Sequence, residues 1–171
     1  MMIQKAKVSV SVVMGSESDL PVMEETVKIL KDFGISHEVV LTSAHRSPER
    51  TSSFAKKVAE RGIRIIIVGA GAAAHLAGVI ASQTHLPVIG VPIDATSLRG
   101  LDALLSTVQM PGGIPVATMA IGKAGAKNAA LMAIRILSLE DAILRKKLQT
   151  YCKKMARDVE KRQKNLNAGS S

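Results

Sequence analysis

From Ile65 to Ile93 the chain carries no Asp, Glu, Lys or Arg, and no other feature narrows the fold as much. The stretch is long enough to cross a bilayer as one helix. Its interior argues otherwise: Gly69, Gly71, Gly78 and Gly90, Pro87 and Pro92, and the polar run Ser82-Gln83-Thr84-His85 break it up. It reads as a buried strand, a glycine loop, a small-residue helix and a second buried strand. A strand apolar on both sides has to be covered on both sides, which is the situation of a parallel sheet between helices.

The flanking segments fit that frame. Val8–Val13 is an apolar, β-branched run ending in a Gly/Ser turn, and a helical pattern follows from about Leu20 to Phe33, with Gly34 placed as its C-cap. Glu38–Leu41 predicts a second strand, Pro48–Arg61 a helix stopped by Gly62, and Ile63–Val68 the third strand. A helix over Ala73–Gln83 leads to a fourth strand, Pro87–Val91. Leu101–Thr107, Pro115–Met119 and Lys123–Leu137 add a helix, a fifth strand and an Ala-rich helix. Strand–helix alternation at this spacing predicts an α/β fold in three layers with a mostly parallel sheet, flavodoxin- or Rossmann-like. With 171 residues the chain is expected to form one domain. Residues 1–138 would be the α/β body and residues 139–171 a helical extension of it.

Charge and composition trim the function classes. The net charge is +9, and residues 139–171 hold nine Lys and Arg against four Asp and Glu. A basic tail can meet nucleic acid or anionic lipid, but here the charges surround an apolar stripe. Leu144, Leu148, Tyr151, Met155 and Val159 recur every three or four residues, so the reading is a solvated helix whose stripe covers its own body or a neighbouring subunit. Aromatic residues make up 2% of the chain, too few for a base-stacking groove. The single cysteine, Cys152, excludes an internal disulfide and a cysteine-based metal cluster. Met1–Lys7 has no long apolar segment of a secretory signal, so a cytoplasmic address is expected, with no membrane or nucleic-acid partner.

In doubly wound folds, ligands bind beyond the carboxyl ends of the strands. After the first strand come Gly15-Ser16-Glu17-Ser18-Asp19, whose hydroxyls and amides at a helix start suit a phosphate. The same residues are good helix caps. The loop has neither the three-glycine dinucleotide spacing nor the Gly-Lys-Ser/Thr of a P-loop. After the second strand come Ser43-Ala44-His45-Arg46-Ser47-Pro48. Arginine binds phosphate through a planar fork, and an imidazole is the side chain suited to proton transfer near neutrality. After the third come Gly69-Ala70-Gly71-Ala72-Ala73-Ala74-His75, where small residues let backbone amides approach a flat or anionic ligand and His75 adds a second imidazole. No set of Cys, His and Asp has metal-ligand spacing, and no Ser or Cys sits on a nucleophile elbow. The residues alone thus describe a phosphorylated small molecule handled by proton transfer.

Four of these segments resemble the PurE family: Gly-Ser-Glu-Ser-Asp at 15–19, Ser-Ala-His-Arg at 43–46, Gly-Ala-Gly-Ala-Ala-Ala-His-Leu at 69–76 and Ser-Thr-Val-Gln-Met-Pro-Gly-Gly-Ile-Pro-Val-Ala-Thr at 106–118. They run in order over about Val8 to Leu137, and Arg46 with Ala74-His75-Leu76 is similar to class I members, the N5-carboxyaminoimidazole ribonucleotide mutases. Ala73 and Ala77 depart from the family's usual Gly and Pro. The resemblance implies an isomerase of purine biosynthesis that moves a carboxylate from the exocyclic nitrogen to ring carbon 4 without ATP, biotin or metal, and so without a cofactor. It implies His45 as the proton carrier with His75 nearby. It assigns Ser16, Ser43 and Arg46 to the phosphate, Asp19 to the ribose and Ser18 to support of that loop. Amides around Gly71–Ala74, beside Leu76, would hold the migrating carboxylate. It also implies a homo-octamer, in which the C-terminal stripe meets another subunit. The alternatives are a class II aminoimidazole ribonucleotide carboxylase using free carbon dioxide and a non-enzymatic phosphometabolite-binding α/β domain. A nucleic-acid binder rests on the net charge alone.

Overall fold

Val10, Val12 and Val13 have no exposed surface, and neither have Ile66, Ile67 and Ile89; these side chains mark the middle of a five-stranded sheet. The computed structural model describes residues 8–168, so the sequence reading of Met1–Lys7 lies outside the described residues. The strands are β1 (Val10–Met14), β2 (His37–Leu41), β3 (Ile65–Gly71), β4 (Val88–Ile93) and β5 (Ala117–Thr118). All pair in parallel, in the order β2-β1-β3-β4-β5. The helices are α1 (Leu20–Phe33), α2 (Pro48–Lys57), α3 (Leu76–Ala81), α4 (Leu101–Val108), α5 (Gly122–Leu137) and α6 (Ala142–Ala168). This is the three-layer α/β fold expected, with a C-terminal helix.

Alternation along β3 distributes its side chains to two layers. Ile66, Val68 and Ala70 join one cluster with Ala55 of α2, Val58 just after it, Leu76, Ala77 and Ile80 of α3, and Ala103 of α4. On the other face, a side chain at Gly69 would run into Met23 of α1, so glycine there lets helix and sheet close up. Each large aliphatic side chain fully buried in such a layer contributes roughly 1.5–3 kcal/mol relative to exposure. Thr26 Oγ1 of α1 donates to the carbonyl of Ala126 in α5 at 2.8 Å, satisfying a buried hydroxyl between two helices.

Several boundaries differ from the sequence reading. α2 ends at Lys57, and a single 3-10 turn over Ala59–Arg61 follows, because Gly62 at φ 86° caps the chain in the left-handed region. β3 runs on through Gly69-Ala70-Gly71, which read as loop; these small residues still pair with Val91, Pro92 and Ile93 of β4. α3 begins at Leu76 rather than Ala73. β5 is two residues long, since Pro115 has no amide to give the ladder.

The chain divides into two units, Met1–Ala133 and Ile134–Ser171, with the boundary inside α5. In the second unit Asp141 caps α6 by accepting the Leu144 amide at 2.9 Å, and Arg145 donates to the Ser138 and Leu139 carbonyls. Along the stripe of α6, Leu144 is buried, Leu148 and Tyr151 are half-buried, and Met155 and Val159 are exposed. Among the described residues no helix is long and apolar enough to cross a membrane.

Candidate active site

The exits of β1, β2 and β3 lie side by side because β1 pairs with both others in parallel. Gly15-Ser16 leaves β1 in extended backbone (Ser16 φ −150°, ψ 153°) and turns into a short 3-10 helix over Glu17–Asp19. A capping box holds that turn: Ser18 N donates to Ser16 Oγ at 3.3 Å, and Ser16 N donates to Asp19 Oδ2 at 3.0 Å. Ser18 Oγ also donates to Ser16 Oγ at 2.8 Å. Asp19 is 3% exposed. Burial pushes its carboxyl above the ordinary value of 3.8, while hydrogen bonds from the Ser16 and Gly15 amides and the charge of Arg46 pull the other way.

The β2 exit is braced by hydroxyls. Thr42 Oγ1 bonds Thr51 Oγ1 at 2.8 Å, Ser43 N donates to Ser47 Oγ at 3.0 Å, and Arg46 N donates to Ser43 Oγ at 3.1 Å. The Arg46 guanidinium reaches across to the first loop and donates to the Gly15 carbonyl at 3.1 Å. That contact uses one of its five N–H groups.

The β3 exit turns sharply at Ala72, whose φ of 53° is left-handed for a residue with a side chain. Such strain collects at functional sites. It falls at Ala72, not at Ala73, the departure that drew attention in the sequence. Ala77, the other departure, is buried in α3. The next amides fold back locally: Ala74 N donates to Ala72 O at 2.8 Å and His75 N to Ala73 O at 2.7 Å. This turn brings His75 against His45. His45 Nε2 and His75 Nδ1 are 2.9 Å apart, with the rings edge-on at 88° and their centroids 5.1 Å apart. One ring must donate and the other accept, so the pair can hold a proton between them and pass it on.

These loops enclose a cleft of about 350 Å³, within the range of small-molecule sites. Ser16, Ser18, Asp19, Ser43, His45, Arg46, Gly71 and Leu76 all line it. Ala74 and His75 do not: Ala74 is buried with its amide engaged with Ala72, and His75 meets the cleft only through its bond to His45. Ala95, just past β4, also lines the cleft and was missed in the sequence, although the rule of strand exits points to a fourth loop there. A second cleft of about 460 Å³ shares Gly15, Ser16, Ser43 and Arg46 with the first and adds Glu17, Leu41, Thr42, Ser47 and Arg50. Among the described residues no group of three or more His, Cys, Asp or Glu could hold a metal ion.

The family model for AIR carboxylase matches residues 9–158. The chain belongs to the AIR carboxylase family. Among its AIR carboxylase relatives is the N5-carboxyaminoimidazole ribonucleotide mutase of Pyrococcus horikoshii, 58% identical over 157 residues that span 92% of this chain and 88% of that protein. The mutase of Thermotoga maritima is 53% identical over 150 residues, 88% of this chain and 86% of that one. The crystal structure of Treponema denticola PurE, another protein of this fold, superposes with a TM-score of 0.81 at 31% identity, covering 89% of this chain and 94% of that one.

Proposed function

We propose that this chain is an N5-carboxyaminoimidazole ribonucleotide mutase, an isomerase of purine biosynthesis. Its similarity to proteins of that name extends over most of both chains at more than half identity. The observation that carries the chemistry is the contact of His75 with His45, which lines a cleft walled by Gly71 and alanines.

The reaction needs a proton delivered and a proton removed. When the carbamate C–N bond breaks, its electron pair returns to the exocyclic nitrogen, which takes a proton, and carbon dioxide is freed. Ring carbon 4 then attacks the carbon dioxide, forming the new C–C bond and leaving a hydrogen to be lost from that carbon. His45 supplies the first proton and collects the second, so the cycle closes with no net change. His75, bonded to the far nitrogen of the His45 ring, sets which tautomer faces the substrate. The apolar wall at Ala70–Ala73 and Leu76 keeps water from the freed carbon dioxide. Arg46, Ser16 and Ser43 hold the phosphate, Asp19 the ribose, and Ser18 supports the first turn. The carboxylate in transit meets the backbone around Gly71; Ala74, turned away, serves as packing.

Met155 and Val159 are apolar and exposed on α6, a patch that soluble chains seldom leave bare. In this reading a neighbouring subunit covers them in a homo-octamer, the basic residues around them are solvated rather than bound to nucleic acid, and the enzyme works in the cytoplasm. The deciding assay offers the carbamate ribonucleotide and, separately, aminoimidazole ribonucleotide with carbon dioxide. Rapid turnover of the first alone supports the mutase; turnover of the second alone makes it a carboxylase; turnover of neither leaves a binding domain.

A further inference from the structure

Arg50 lines the second cleft from the first turn of α2, four residues after Arg46. Helical side chains lean toward the helix N-terminus, so the Arg50 side chain lies over the turn that carries Ser47 and Arg46. Among the described residues it makes no hydrogen bond or ion pair, although Glu17 lines the same cleft. Arg46, by contrast, is already anchored to the Gly15 carbonyl at 3.1 Å. The cleft thus contains one tethered guanidinium, one free guanidinium and one free carboxylate, and it shares a wall with the cleft that holds His45.

We propose that Arg50 is a second phosphate-side cation: it tunes selection of the 5′-phosphorylated ligand by offsetting Glu17 and adding charge beyond the tethered Arg46. The proposal deepens the reading given above and rests on it. A phosphate monoester carries close to two negative charges at neutral pH. With Arg46 alone facing it, Glu17 would cancel most of the attraction; with Arg50 present, the cleft keeps a net positive charge. Both residues are exposed, so their action is long-range and salt-sensitive, and it bears on binding rather than on the bond-making steps.

The test uses the full-length protein and three variants, Arg50→Gln, Glu17→Gln and Arg46→Lys. Steady-state rates are taken with the carbamate ribonucleotide. Calorimetric affinities are taken for the 4-carboxy ribonucleotide and its dephosphorylated riboside. Arg50→Gln should raise KM about three- to tenfold and Glu17→Gln should lower it by a similar factor, as expected for a single charge near a phosphate in high dielectric. In both, kcat should hold, riboside affinity should not move, and the effect should shrink as salt is raised. An Arg50→Gln enzyme with unaltered KM beside an Arg46→Lys enzyme with raised KM overturns the proposal. So does an equal loss toward nucleotide and riboside. If the wild-type protein does not turn over the carbamate, the mutase reading itself has failed, which is a different result from silence at Arg50 alone.

Discussion

Replacing His45 by Asn isolates what the imidazole pair does. His45 is exposed, so the substitution opens no cavity and buries no unpaired group. Among the described residues its one side-chain hydrogen bond is the 2.9 Å bond from Nε2 to His75, and a hydrogen bond of this kind contributes about 0.5–1.5 kcal/mol to stability. Melting temperature should therefore shift by a few degrees at most. The amide nitrogen of Asn takes the place of imidazole Nδ1 and does not extend to Nε2, so both the proton carrier and the link to His75 go. Losing a general acid–base group costs about 10²–10⁴ in rate, or about 2.7–5.5 kcal/mol in the barrier. Gln reaches farther and can restore a bond to His75 without carrying a proton. The assay is product formation by absorbance at saturating carbamate, with calorimetry to show that the ribonucleotide still binds. Both variants should be slow to a similar degree. A rate above half of wild type in Asn removes His45 from the mechanism. Recovery in Gln would make position, not proton transfer, its contribution.

The remaining predictions probe the walls, the turn and the tail. A Cβ at position 71 would sit 2.5 Å from the Ala95 Cβ and 3.2 Å from the Ile93 carbonyl, so Gly71→Ala should cost about 1–3 kcal/mol of stability and most of the turnover. Adding Ala95→Gly should recover much of both, measured by melting and kinetics, and no recovery would place the strain elsewhere. Asp19 has its folded-state carboxyl raised above 3.8 by burial, so its contribution to stability is fully present below 3.8 and is lost as pH rises through the folded value. Asp19→Asn keeps an acceptor for the Ser16 amide without that charge. Its melting temperature relative to wild type should rise between pH 3 and pH 7, and a difference constant with pH would contradict the assignment. Met155→Glu with Val159→Glu should reduce the particle mass in light scattering without loss of helical ellipticity; an unchanged mass takes α6 out of the interface.

Periodicity and apolar runs made the strands and most helices legible, because burial on both faces leaves a plain mark on residues such as Ile65–Val68. The misplacements fall where backbone, not side chain, decides. Gly69-Ala70-Gly71 has loop composition, yet its register with β4 extends the strand. Ala74 belongs to a motif that reads as ligand-binding, yet a local turn sends its amide to Ala72 and its methyl inward. Most residues that line the candidate cleft could be read from the exits of the strands. The meeting of His45 and His75 could not: they are 30 residues apart, and only the sheet order brings their loops together. Arg50 was invisible for another reason, since a lone arginine in a first helical turn looks like solvated surface until the cleft beside it is seen.

The parallel sheet also has a second edge. Every loop of the clefts follows a strand, while the connections that precede strands, at residues 34–36, 62–64 and 84–87, contribute none of their lining. Chemistry and connectivity are thus assigned to opposite rims of one scaffold. A new chain opening, a spliced-in peptide or a fused reporter belongs on the rim without chemistry, where it lengthens a turn and leaves the imidazole pair untouched. The same insertion after Ala72 would dismantle the enzyme.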